Sequence, residues 1–169
     1  MKSATVLQLA GASAALGGAL RVAAAFIPPA HTPELELLYF VIDITLLFGL
    51  IGIYASEHQR IGWLGLAGFV IAAIGQASIV GPDGDYDGIN VYQAGVAVIG
   101  IGLAIMSVAM LLFGRFPRFI SALWIGSFLA GLGTFVLPAA PFVPFLVAGL
   151  LFAVAFLAAG IFLFSKPVA

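Results

Sequence analysis

Cysteine is absent from the sequence, which excludes disulfide staples, thiolate nucleophiles and every cysteine-ligated zinc or iron–sulfur site. Charge is scarce too: charged residues make up 8% of the 169 positions, where soluble domains carry about 25%. Six Lys or Arg against seven Asp or Glu leave a net charge of −1, so no broad basic field exists to attract a phosphate backbone and no nucleic acid partner is expected. The two histidines, His31 and His58, fall in connections on opposite sides of the bundle outlined below, so they make no haem pair. No serine has a histidine and an acid at its own depth, as a serine hydrolase requires. Instead, 63% of the residues are hydrophobic, and water cannot be the solvent for most of such a chain's surface.

The apolar residues form six runs near 5–27, 34–55, 61–80, 92–113, 119–137 and 144–164, each close to the roughly 20 residues that cross a bilayer as a helix. Local breakers mark the connections: Pro28-Pro29 with Pro33, Ser56-Glu57-His58-Gln59, Gly81-Pro82, Gly114 with Pro117, and Pro138 with Pro141 and Pro144. Barrel strands would alternate apolar and polar residues over segments of about ten, whereas these runs are apolar on every face. The expected fold is therefore an all-α integral membrane protein, a single bundle of about six helices over residues 1–169. Lys2 before an apolar stretch that ends in Ala23-Ala24-Ala25 has the outline of a signal peptide, but Arg21 interrupts it, so the first run counts as a helix.

Lys2, Arg60, Arg115, Arg118 and Lys166 fall at the termini and in alternate connections, while His31, Glu34, Asp83, Asp85 and Asp87 occupy the others. The positive-inside rule then predicts both termini in the cytoplasm, and connections this short suit a bacterial inner membrane. Trp63 and Trp124 would sit at headgroup level at the inner ends of the third and fifth helices.

Laying Arg60 over Arg118 also aligns Gly68 with Gly126, Ala72 with Ala130, Gly75 with Gly133 and Gln76 with Thr134, the trace expected of duplicated helical hairpins. Gly17-Gly18, Gly49 with Gly52, Gly62-Gly65-Gly68, Gly100 with Gly102 and Gly131 with Gly133 give most helices a surface for close packing. Such surfaces serve packing within the chain, a homo-oligomer seam or a larger membrane complex.

Ionisable residues inside a membrane are costly and mark function by default. Arg21 lies about 9 Å from the outer end of the first run and Asp43 about 13 Å from the start of the second, at 1.5 Å per residue. Glu36, Tyr39, Phe40 and Asp43 share one helix face by their spacing. An Arg21–Asp43 pair bridged to Glu36 is the simplest neutral arrangement. Gln76, Tyr92, Gln93 and Thr134 fall at similar depth, so Arg21, Glu36, Tyr39, Asp43, Gln76, Tyr92, Gln93 and Thr134 outline a ligand pocket in the outer half of the bilayer. The competing reading is a structural salt bridge with ordinary interhelical hydrogen bonds.

Asp83, Asp85 and Asp87, with Gly88, resemble the first half of an EF-hand calcium loop. Ala94 replaces the bidentate Glu of that loop, so calcium would need Glu34, Asn90 or Gln93 to complete its shell. A solvated Gly-Asp turn is the alternative.

Three functions fit these features. The first is binding or transport of a small anionic or amphipathic molecule by the outer pocket, with membrane lipids as further partners. Second is an enzyme acting on a lipid or isoprenoid, with Asp43 or Glu36 as general acid. Over four residues, Pro33-Glu34-Leu35-Glu36 resembles the Pro and paired Glu at a helix start in membrane carotenoid cyclases, with Leu35 splitting the pair, and no residue roles carry over. The third is an accessory subunit of a larger membrane complex.

Overall fold

The computed structural model describes residues 3–28, 32–80, 85–136 and 142–165. Its helices are α1 (Ser3–Ala24), α2 (Pro33–Ser78), α3 (Val91–Phe113), α4 (Arg118–Val136) and α5 (Phe142–Phe164), with a two-residue antiparallel ladder, β1 (Asp85–Tyr86) and β2 (Ile89–Asn90), before α3. Four helical stretches, Thr5–Ala24, Pro33–Ser78, Val91–Phe113 and Phe142–Phe164, are long and apolar enough to cross a membrane. The chain is thus all-helical in the manner of a membrane protein.

Helix starts follow the local chemistry. The Thr32 hydroxyl accepts the Leu35 amide at 3.3 Å ahead of Pro33, and the Asn90 carboxamide accepts the Gln93 amide at 2.9 Å. Each satisfies an amide that the first helical turn leaves without a partner. Glu34 and Glu36 in the first turn of α2 complement its dipole.

The second and third runs are one element of 46 residues, interrupted at Gly62 (φ 55°, ψ −151°). The expected connection at Ser56-Glu57-His58-Gln59 is helical instead, and the Ser56 and His58 side chains fold back on their own helix. Ser56 Oγ donates to Ile53 O at 2.8 Å, and His58 Nδ1 lies 2.8 Å from Ala55 O. Only glycine adopts the backbone angles of position 62 without strain, so the reversal occurs there. Its proof is the Gln76–Asp43 hydrogen bond, 3.2 Å long between residues 33 apart, which a straight helix would separate by about 50 Å.

Each helix packs on its neighbours in sequence, and α5 closes the ring against α1. Between helices surrounded by lipid, close backbone contact replaces the hydrophobic drive of a water-soluble core. A Cβ on Gly18 would stand 2.5 Å from Leu157 N, and one on Gly75 2.6 Å from Ile99 N, so at these two positions the α1–α5 and α2–α3 seams admit glycine alone. The α4–α5 seam is looser: a Cβ on Gly126 would be 3.5 Å from Leu151 Cδ1, and one on Gly131 4.0 Å from Ala148 Cβ. Gly68 and Gly75 thus pack far more tightly than Gly126 and Gly133, the positions that the repeat aligns with them.

Outward faces are apolar. Leu37, Phe40, Ile44, Phe48 and Ile51 make an exposed stripe along α2, which suits lipid and not water. Trp63 follows the Gly62 turn at 85% exposure, unlike Trp124. Trp124 is 1% exposed and packs edge-on against Phe156, ring centroids 5.3 Å apart, because α4 turns that face toward α3 and α5 in the core.

Candidate functional site

Five of the eight residues expected to line the pocket come together, from three helices. Arg21 lies in the last turn of α1, where the helix dipole favours a cation. Since α1 ends at Ala24, Arg21 is about 4.5 Å from the helix end, nearer than the sequence suggested. Its Nη2 donates to the Tyr92 hydroxyl of α3 at 3.0 Å, and its guanidinium lies over the Tyr39 ring of α2, 5.4 Å from the centroid. Contact of this kind between a cation and a ring face is worth about 0.5–1 kcal/mol at exposed sites and about 2 or more when desolvated.

Asp43, one helical turn beyond Tyr39, is 8% exposed. It acts on Arg21 through its charge, while Gln76 supplies the close contact. Gln76 is 1% exposed, and its Nε2 donates to Asp43 Oδ1 at 3.2 Å and approaches Asp43 O at 3.4 Å. The Gly62 reversal therefore sets the arm before it against the arm after it, with the acid and its amide partner in register. Arg21 and Asp43 share the cluster, Arg21 through Tyr92 and Tyr39 and Asp43 through Gln76.

Glu36, Gln93 and Thr134 stand apart. Glu36 is exposed in the first turn of α2, Gln93 is exposed with its amide in the Asn90 cap, and Thr134 donates to Gly131 O in its own helix at 2.7 Å. Resolved clefts also lie elsewhere. One of about 370 Å³ runs between α2 and α3 beside Ile74, Val91 and Val98, and another of about 250 Å³ opens between α1 and α2 beside Leu7, His58 and Arg60.

Within the acidic loop, Asp83 and the Asp85 side chain lie outside the described residues. Asp87 (φ 49°) and Gly88 (φ 80°) join β1 to β2, with Tyr86 paired to Ile89. Positive φ at both central positions defines a type I′ turn, for which Asp-Gly is a favoured sequence. This turn accounts for Asp87 and Gly88 as hairpin residues. Among the described residues no group of three or more His, Asp or Glu is placed to hold a metal ion.

Sequence reasoning missed Glu57. Its carboxylate is buried at the opposite end of the bundle, where Oε2 accepts the Arg115 amide at 2.8 Å and Oε1 lies 4.0 Å from Arg60 Nη1. The available signal was a single acid among three arginines at one end of the chain's fold.

This fold and cluster define a helical protein of membrane type, with a cation held at one end by two tyrosines. No protein-family model, curated protein or solved structure matches the chain.

Proposed function

We propose that the chain crosses a bacterial inner membrane six times, the two arms of α2 counting separately, with both termini cytoplasmic. The Arg21 cluster then receives the anionic end of a small or amphipathic molecule in the outer half of the bilayer. Exposed Arg60, Arg115 and Arg118 at one end, and exposed Glu34, Glu36 and Asp87 at the other, support the orientation.

The observation that carries the binding function is the state of Arg21. A half-buried guanidinium has five N–H donors, yet its one side-chain hydrogen bond among the described residues goes to a neutral tyrosine. Asp43, the nearby acid, is engaged by Gln76. An incoming carboxylate or phosphate would find a fork geometry already set by Tyr39 and Tyr92. The ligand's apolar part would stay among the helices.

The test is thermal stability of the detergent-solubilised protein with a fatty-acid carboxylate, an alkyl phosphate or a neutral alkyl glycoside. A ligand at one hundred times its Kd stabilises by about 2.7 kcal/mol. The anionic amphiphiles are expected to raise the midpoint, and Arg21→Ala to abolish that rise while leaving the fold intact. Equal effects of neutral and anionic ligands would overturn the proposal.

Two observations favour a second reading, a structural lock. The Gln76–Asp43 bond is fully internal, and Arg21–Tyr92 ties α1 to α3. Under that reading Arg21→Ala unfolds the protein, and no anion stabilises it.

A further inference from the structure

We infer that the end of the bundle carrying the Gly62 turn and the 114–117 linker seats anionic phospholipid headgroups, with Arg60, Arg115 and Arg118 as the phosphate-binding side chains. Glu57 brings the first two together. Its carboxylate, on a residue 2% exposed, accepts the Arg115 amide at 2.8 Å with one oxygen and lies 4.0 Å from Arg60 Nη1 with the other. Arg118 opens α4 three residues further on. Three exposed arginines thus lie at the end of the bundle that holds one buried acid, an excess of two positive charges among these four described residues.

These groups are available. Neither the Arg115 nor the Arg118 guanidinium has a protein acceptor among the described residues, and Arg60 meets Glu57 only at the outer limit of an ion pair. The flat guanidinium fork matches phosphate oxygens better than a point charge does. Apolar side chains flank this end: Trp63, Phe113 and Phe119 are 85%, 57% and 58% exposed, as residues are where acyl chains meet the headgroup layer. On the other flank of Arg60, the cleft of about 250 Å³ beside Leu7, Ser56 and His58 offers room for the glycerol portion. The occupant fitted to cations, aromatic rings and a small cleft together is a lipid delivered from the bilayer. At the opposite end the exposed charges among the described residues are the acids Glu34, Glu36 and Asp87.

The experiment titrates delipidated full-length protein in neutral detergent with phosphatidylglycerol or phosphatidylcholine and counts retained lipids by native mass spectrometry. Phosphatidylglycerol is expected to be retained in preference. Its affinity should fall about fivefold for each of Arg60→Gln, Arg115→Gln and Arg118→Gln, the factor equivalent to about 1 kcal/mol per basic side chain at an anionic surface. The Arg115 amide survives substitution of its side chain, so its bond to Glu57 and the fold are retained, which circular dichroism checks. Gln93→Ala, an exposed change near the other end of the bundle, should leave the preference intact, separating this seat from a general effect of substitution. Equal retention of both lipids, an unchanged preference in the triple glutamine variant, loss of preference in Gln93→Ala, or displacement of the lipid by millimolar inorganic phosphate would each overturn the inference.

Discussion

Gln76 donates to the Asp43 carboxylate at 3.2 Å across 33 residues of a single helical element, and this bond joins the two arms that Gly62 separates. Both partners are buried, so water replaces neither when the bond is lost.

Replacing Gln76 with Leu should therefore lower stability by about 1–3 kcal/mol, the cost of depriving a buried acceptor of one donor. Asp43→Asn keeps an oxygen for the Gln76 amide and should cost less. A double-mutant cycle on unfolding in mixed detergent micelles isolates the coupling, for which about 0.6 kcal/mol is typical inside membrane bundles and about 1.7 the upper end. Coupling indistinguishable from zero would mean that the contact is geometric only.

Gly62 tests the reversal itself. A Cβ there would meet nothing within 4 Å, so the space is free and the only obstacle to alanine is the backbone conformation. Gly62→Ala should cost about 1–3 kcal/mol from strain alone. A Cβ added to Gly149, within α5, would likewise meet nothing within 4 Å, and there alanine should be neutral or stabilising by up to about 1 kcal/mol. Equal melting midpoints for the two variants would show that position 62 does not turn the chain.

How far these features were legible in the sequence depended on which signal carried them. Long apolar runs identified the helices, because hydrocarbon leaves a spanning backbone few options other than a helix. Arg21, Tyr39, Asp43, Gln76 and Tyr92 were also legible, since polar residues in apolar runs at matching depths must find one another. The turn at Gly62 was not, because Ser56-Glu57-His58-Gln59 is the more polar stretch, and polarity alone does not reveal that Ser56 and His58 bond to their own helix. Glu36 and Thr134 were misplaced for a related reason. Helical spacing fixes a face but not whether a terminal turn stays exposed, as at Glu36, or whether a hydroxyl satisfies itself on its own helix, as at Thr134.

The seams predict opposite signs for one substitution. A methyl on Gly75 would press on Ile99 N at 2.6 Å and Gly95 O at 2.8 Å, backbone atoms that move only if α3 moves. Gly75→Ala should then destabilise by about 1–3 kcal/mol or more. On Gly131 the nearest atom would be Ala148 Cβ at 4.0 Å, an ordinary contact, and the gain in helix propensity is up to about 1 kcal/mol. Chemical unfolding of the two variants should move the midpoint in opposite directions. Destabilisation of similar size in both would place the α4–α5 seam at the same closeness as α2–α3.

At Glu57 the geometry separates the contribution of charge from that of hydrogen bonding. The oxygen facing Arg60 is 4.0 Å from a guanidinium whose side chain is 41% exposed, and pairs of that kind contribute about 0–1 kcal/mol. The other oxygen accepts the Arg115 amide at 2.8 Å, and an amide left without its acceptor costs about 1–3 kcal/mol. Glu57→Gln preserves a carbonyl oxygen for that amide, so it should cost less than Glu57→Ala does. Glu57→Ala removes the acceptor and frees the linker after α3, so its cost should be the largest of the three and persist in high salt, which screens the ion pair but not the hydrogen bond. Were Arg60→Gln as damaging as Glu57→Ala in low salt, with both losses vanishing in high salt, the ion pair would be what fixes the linker.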